Sequence, residues 1–298
     1  MTGLETWPLT DNYTEAMTFT GFIGFIFNIP LRAIIWLCVK LHISPNVLTF
    51  TGVVINAVAA WELSQGRFMS AGYWMVGANM FDYIDGKVAG ERNKATLFGA
   101  FFDSVMDRIS DIILFIGLIA LYNDIGTGHM DYVLTTSLAM MFAVMTSYTR
   151  ARAESLIEKC KVGFMERPER IVLFMIGAFT NRMAAVMWVI LILSIITVFD
   201  RIFMTWRELK AGRSLAAVQA GTAPPPIPPT QPGVVQRALW LPLVILWRGI
   251  FWTYERASWQ YDVMVILILA FIWLTPPGWL FDPTASHDMG FIQWLLKR

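Results

Sequence analysis

Charge is what this chain of 298 residues has least of. Asp, Glu, Lys and Arg together make 15% of it against 56% hydrophobic residues, and the two signs nearly cancel at +1. Soluble domains carry about 25% charged and about 45–50% apolar residues, so a soluble globular domain is excluded. The apolar excess is spread over many separated runs, which also excludes one anchor on a soluble domain. A near-zero charge balance removes any global electrostatic case for nucleic-acid binding. Cysteine is nearly absent: Cys38 and Cys160 lie far apart, so neither a disulfide scaffold nor a cysteine-based zinc site is available. His42, His129 and His287 are isolated, so any metal site must be built from carboxylates. Residues 1–17 are polar and acidic and lack a basic n-region, which argues against a cleaved signal peptide. No internal repeat of the transporter type is visible.

What is there is a series of membrane-length runs. Crossing the hydrocarbon core takes about 20 mostly apolar residues. Six such runs precede residue 210, at about 46–63, 70–88, 97–122, 132–153, 169–180 and 183–203. The fifth is short, to be completed by the residues before it or by tilt. Residues 22–41 are apolar but carry Pro30, Arg32 and Lys40, and read as a helix lying along the interface; a further crossing is the alternative. Basic residues sort the loops. One side receives Lys87, Arg92 and Lys94, then Arg150, Arg152, Lys159, Lys161, Arg167 and Arg170, then Arg207, Lys210 and Arg213. The other has Arg67, a stretch at 123–131 without Lys or Arg, and Arg182. The positive-inside rule makes the first side cytoplasmic, with both ends of a six-helix unit inside.

The chain therefore divides into four parts. Residues 1–43 form a tail and interfacial helix, 44–210 a six-helix membrane domain, 211–236 a linker, and 237–298 a hydrophobic extension. The linker contains TAPPPIPPTQPG, a semi-rigid proline-rich spacer. In the extension, residues 238–252 are interrupted by Pro242 and Arg248 and read as interfacial, 261–274 as embedded, and 289–298 as a small amphipathic tail. A membrane hairpin is the alternative for the first two.

Acidic residues inside membrane helices are costly and are functional by default. Asp82 and Asp85 stand three apart at the end of the second run, and Asp103, Asp107 and Asp111 follow at four-residue steps in the third. Spacings of i, i+3 and i, i+4 share one helical face. The short connection 88–96 makes the two helices antiparallel neighbours, so both sets lie at similar depth and can face each other. Facing carboxylates repel in a low dielectric. Lys87, Arg92 and Arg108 could neutralise them as a structural salt-bridge cluster. A divalent cation explains four acids better, since hard oxygen ligands suit Mg²⁺, Mn²⁺ or Ca²⁺. Such ions typically bridge to substrate phosphates and leave one carboxylate free as a base. Gly86 and Gly99 fit close approach of a ligand, although close helix packing is the alternative.

The run DYIDGKVAGERNKATLFGAFFDSVMD from Asp82 to Asp107 resembles the signature D-x2-D-G-x2-A-R-x8-G-x3-D-x3-D of the CDP-alcohol phosphatidyltransferase family. Asp82, Asp85, Gly86, Ala89, Gly99, Asp103 and Asp107 match; the arginine of the signature is Gly90 here, and Arg92 either substitutes for it or has a separate role. The resemblance implies an all-α, integral membrane bundle of six transmembrane helices, a homodimer, and an active site open to the cytoplasm of an inner-membrane enzyme. It implies attack by an alcohol on the lipid-side phosphorus of CDP-diacylglycerol, releasing CMP. Asp82, Asp85, Asp103 and Asp107 would hold Mg²⁺ or Mn²⁺, with two ions expected, and Asp107 would also be the catalytic base. Asp82, Gly86, Ala89, Arg92, Gly99 and Asp103 would serve the nucleotide. SPNVLT at 44–49 resembles the family's lead-in to its first span, with Pro45 starting the helix, Asn46 reaching the nucleotide and Ser44 capping.

Arginines cluster beside this acidic site. Arg150 and Arg152 end the fourth run, and Arg167 and Arg170 begin the fifth. Retaining the loop inside is one reason for them, best suited to Lys159 and Lys161. A second, anionic substrate is the sharper one, because arginine forks recognise phosphate. These segments, with DRISD at 107–111, are similar to the bacterial phosphatidylinositol phosphate synthases. That likeness implies inositol 1-phosphate as acceptor, with Arg150 and Arg170 in its phosphate pocket and Arg201 contributing from a third helix. It covers about residues 29–210. Alternatives within this chemistry are glycerol 3-phosphate as acceptor, as in phosphatidylglycerophosphate synthases, and a soluble CDP-inositol donor. Of other classes, a cation transporter or channel and an inactive scaffold remain open.

Overall fold

The computed structural model describes residues 34–91, 96–124, 129–222, 224 and 259–284. Among these, every regular element is helical and no strand occurs. Six helices match the six apolar runs: α1 (Pro45–Ser64), α2 (Phe68–Glu91), α3 (Leu97–Asp124), α4 (Met130–Glu154), α5 (Arg167–Thr180) and α6 (Met183–Lys210). A short α7 (Leu215–Gln219) and a later α8 (Trp259–Leu274) follow. The upstream reading at 22–41 is described only at its end, where residues 34–40 are helical and pack Ile35 and Cys38 against Leu48, Ile84 and Val88. The rest of that segment, the proline-rich run, residues 238–252 and residues 289–298 lie outside the described residues.

Local chemistry sets the boundaries. Pro45 occupies the first turn of α1, where its missing N–H is not needed. Ser44 sits at the N-cap in extended backbone, but its side chain makes no capping bond, contrary to the expectation for it. Gly66, at φ 71°, makes the left-handed turn between α1 and α2. Thr96 caps α3 instead, its Oγ1 accepting from the Gly99 amide at 2.9 Å. Helix α5 ends on Asn181 in the left-handed conformation. It has 14 residues, or about 21 Å, and the residues before it are not helical.

The packing is a bundle. Helix α1 lies against α2 and α3, α4 against α3 and α6, and α5 against α2 and α6. Its core includes Ala60, Leu63, Met75, Leu114, Leu118, Phe174, Met187 and Ile190. The α1–α3 crossing is close enough that a Cβ on Gly117 would stand 2.4 Å from the Ala60 carbonyl oxygen, so only glycine fits. Helices α1 and α6 are long and apolar enough to cross a membrane by length and composition.

Helix α8 belongs to this core. Ile268 and Ile272 are buried in it, and Tyr261 stacks near Phe164 at 5.3 Å between ring centres. Arg182 Nη1 donates to the Thr275 carbonyl at 3.0 Å, and Tyr132 donates its hydroxyl to the Leu280 carbonyl. The helix thus runs alongside the bundle from the loop before α5 to the α5–α6 turn.

Candidate active site

The acids stand as their spacing requires. Asp82 and Asp85 lie in the last three turns of α2, while Asp103, Asp107 and Asp111 occupy successive turns up to the middle of α3. All five are at the same end of the bundle. Asp103 lies within electrostatic reach of Asp82, Asp85 and Asp107. Asp85 and Asp111 are buried, and Asp82, Asp103 and Asp107 are half-buried.

Helix α1 makes the floor. Thr49 Oγ1 donates to Asp85 Oδ2 at 2.5 Å. A Cβ on Gly52 would come within 2.9 Å of Asp82 Oδ1, so the missing side chain makes room for that carboxylate. Neither residue belongs to the signature; only a three-dimensional register brings them under the acids. Gly86 has nothing within 4 Å of where a Cβ would be, so helix packing does not account for it. Gly99 faces the Thr96 hydroxyl and the Asn46 Oδ1, at 3.1 and 3.7 Å from a notional Cβ, which brings Asn46 and Gly99 together at this end. Ala89 is half-buried on the last turns of α2. Arg92 lies outside the described residues.

Arginines close the site from α4, α5 and α6. Arg167 reaches into the acidic face: its Nη2 donates to Asp82 Oδ2 at 2.6 Å, stands 3.1 Å from Asp107 Oδ1, and its Nε is 3.8 Å from Asp111 Oδ1. Arg170, one turn on, is 2% exposed. It is fixed by Asp111 Oδ2, at 2.5 Å from Nη2 and 3.2 Å from Nε, and by the Thr146 hydroxyl at 3.0 Å. Arg201 is equally buried and donates to the carbonyls of Val162 and Thr146 and to Glu166. Arg150, one-third exposed, pairs with Glu154 at 3.2 Å and with Glu166 Oε1 at 2.8 Å. Glu166 thus bridges Arg150 and Arg201.

Four of the five expected arginines are therefore brought together, and the fifth is not. Arg152 is exposed and donates to Ser155 Oγ at 3.3 Å. Two residues along a helix turn a side chain by about 200°, so Arg150 and Arg152 cannot face one site. Thr146, Asp111 and Glu166 are the supports that the sequence reading did not assign. Asp111 was visible in the four-residue series; nothing in the sequence marks Thr146. Outside the helices, the Cys160 thiol is buried and pushed above its usual pKa by that burial, so it offers no nucleophile.

Five carboxylates here face three guanidinium groups, Arg167, Arg170 and, within reach of Asp103, Arg108. An acidic surplus of this size, half removed from water, fits hard cations in its donor chemistry. Among the described residues, no three acidic, histidine or cysteine side chains converge tightly enough to enclose an ion. Arg167 supplies the positive charge between Asp82 and Asp107.

Comparison with known proteins points to one family. Residues 42–206 match the family model described as CDP-alcohol phosphatidyltransferase. The archaetidylinositol phosphate synthase of Methanothermobacter thermautotrophicus is 33% identical over 177 residues, which are 57% of this chain and 87% of that protein. The crystal structure of Mycobacterium tuberculosis phosphatidylinositol phosphate synthase with CDP-DAG bound is similar with a TM-score of 0.55 and 28% identity, over 63% of this chain and 96% of that one. The same enzyme in complex with manganese and citrate gives a TM-score of 0.55 and 27% identity, over 63% and 91%.

Proposed function

Because the chain belongs to the CDP-alcohol phosphatidyltransferase family, and is thus a transferase, we propose that it moves a phosphatidyl group from CDP-diacylglycerol to a hydroxyl of inositol 1-phosphate. The products are phosphatidylinositol phosphate and CMP. One observation carries this reading: Arg167, beside Arg150 and Arg170 in the arginine cluster, touches Asp82 and Asp107 directly. A phosphate-binding surface then abuts the acidic face, which a neutral acceptor would not need.

In this reading Asp82, Asp85, Asp103 and Asp107 hold Mg²⁺ or Mn²⁺, two ions in all, by displacing the Arg167 contact. Bound cations would neutralise and polarise the donor diphosphate. The support is the donor set, its acidic surplus, and the manganese in the mycobacterial structure. Asp107 accepts the proton of the attacking hydroxyl. That oxygen bonds to the lipid-bearing phosphorus as the bond to the CMP oxygen breaks, so CMP leaves. Gly86, Ala89, Gly99 and Asn46 line the cytidine side, with open space at Gly86. Arg150 and Arg167 grip the acceptor phosphate. Arg170 and Arg201 are already bonded on most donors and hold the pocket wall.

The six helices cross the inner membrane with the basic loops and the site on the cytoplasmic side, and two copies form a dimer. Purified protein given CDP-diacylglycerol, Mg²⁺ and single acceptors tests the chemistry by CMP release. Release is expected with inositol 1-phosphate. Release with glycerol 3-phosphate and none with inositol 1-phosphate overturns the acceptor.

A further inference from the structure

Arg152 turns away from the acidic face and lines a groove that shares Arg201 with the arginine cluster. Between the last turns of α4 and α6 lies a cavity of about 350 Å³, lined by Tyr148, Arg152 and Leu156 on one side and by Ile202, Trp206 and Leu209 on the other, with the buried Arg201 also in its wall. Tyr148, Ile202, Trp206 and Leu209 are all exposed, so it opens sideways, out of the bundle. Most of its wall is apolar, with Thr149, Thr205 and the two arginines as the polar members. Of these Arg152 is exposed, and no carboxylate pairs with it among the described residues. Lys210 adds a second cation, its Nζ 4.9 Å from the centre of the Trp206 ring. An apolar trough does not retain a hydrophilic solute, and two cations at its mouth select against a neutral one. Tyrosine and tryptophan beside cations at helix ends mark the level of lipid headgroups, and basic clefts between membrane helices bind anionic headgroups.

We propose that this groove binds an anionic phospholipid of the surrounding bilayer, with its phosphate on Arg152 and Lys210 and one acyl chain along Ile202 and Trp206. The site rests on the membrane placement given above and is independent of the acceptor's identity. Arg150 and Arg152 then divide two tasks on opposite faces of α4.

The test is native mass spectrometry of the full chain, purified in detergent, stripped of lipid and offered equal amounts of phosphatidylglycerol and phosphatidylcholine with the same chains. The wild type is expected to retain phosphatidylglycerol in preference. Arg152→Ala and Lys210→Ala should each lower that retention about fivefold, the effect of one surface cation on an anionic lipid. Ile202→Trp, which fills the trough, should lower retention of both lipids. No preference in the wild type, or equal retention by wild type and the Arg152→Ala/Lys210→Ala double variant, overturns the proposal. So does a raised acceptor KM in Arg152→Ala with lipid retention unchanged, which would return Arg152 to the acceptor pocket. CMP release is read separately and reports the transferase reading alone.

Discussion

At the end of the bundle where α3 passes toward α4, Leu118, Tyr122, Met183 and Ala184 are buried among one another, and Tyr122 and Tyr132 stack at 5.1 Å. At the opposite end of the same helices Asp85, Asp111, Arg170 and Arg201 are as deeply buried but charged. Burial of the first kind stabilises a helix bundle through close packing. Burial of the second kind costs free energy unless each charge is paired and hydrogen-bonded. Arg170 with Asp111 and Thr146 meets that condition; Asp82 and Asp107, which share one arginine, and Asp103, which has Arg167 and Arg108 only within electrostatic reach, do not. The contrast teaches that the charged end is kept for chemistry, at a cost borne by the apolar end.

The sharpest way to break the contrast is Asp107→Asn. This change keeps the shape of the side chain, removes a negative charge from a crowded acidic face and removes the proposed base. Loss of a positioned base typically costs about 10²–10⁴-fold in rate. Turnover measured by CMP release should fall by that factor while the melting temperature in detergent holds or rises. Near-normal turnover would mean that Asp107 is structural, like Asp111.

Arg167 comes next, since it belongs to both halves of the site. In Arg167→Ala the acceptor loses a charge-assisted contact. Such contacts contribute about 1.5–3 kcal/mol, so the KM for inositol 1-phosphate should rise roughly 10- to 100-fold. Arg167→Lys keeps the charge without the fork and should fall between. An unchanged acceptor KM in both variants would confine Arg167 to its ion pairs with Asp82 and Asp107. Smaller again is Thr49→Val, which removes the hydroxyl that donates to Asp85. The concentration of divalent cation giving half-maximal CMP release should shift by about tenfold, corresponding to one hydrogen bond to a charged group. No shift would detach Asp85 from the cation site.

Much of the charged end was legible in the sequence. Spacings of three and four residues fix one helical face, so the two acidic sets could be read without a fold. The short connection at 88–96 was read as making α2 and α3 direct neighbours, but both helices pack on α1 rather than on each other, and the acids meet at its first turns, by Thr49 and Gly52. The same rule places Arg167 and Arg170 on one face of α5. It also separates Arg150 from Arg152, a consequence of helical geometry that counting basic residues at one end of a span passes over. What was not legible depends on which helix crosses which. Thr49 and Gly52 act on α2 from α1, and Thr146 and Glu166 hold arginines from elsewhere in the chain; Thr49 closes the SPNVLT lead-in but nothing there points to Asp85, and Gly52, Thr146 and Glu166 were given no role. The six runs emerged as helices, yet only α1 and α6 are apolar enough by themselves to qualify as spans. Helices α2 and α3 carry the site's acids, so the function itself lowers their hydropathy, while α5, which carries Arg167 and Arg170, has only 14 residues. The embedded reading of 261–274 follows from the apolar run after Asp262, but its packing against α6 and the polar contacts that finish it do not.

Those contacts give the smallest expected effect, and they lie at the end opposite the aspartate cluster. Tyr132 donates its hydroxyl to the Leu280 carbonyl, far from Asp82, Asp103 and Asp107 though near Asp131 and Asp282. Tyr132→Phe deletes that hydroxyl, with its bonds to Leu280 and to the Trp188 side chain, and leaves the ring in place beside Tyr122. A neutral intramolecular hydrogen bond contributes about 0.5–1.5 kcal/mol net, so the melting temperature should drop by a few degrees at most and CMP release per folded molecule should not change. If the two ends are built on separate rules, loosening the seat of α8 is felt only in stability. A loss of turnover larger than the loss of folded protein would show instead that α8 transmits to the charged end through α6, on which Arg201 sits. The division between a packing end and a chemical end would then have to be redrawn along α6 rather than across the bundle.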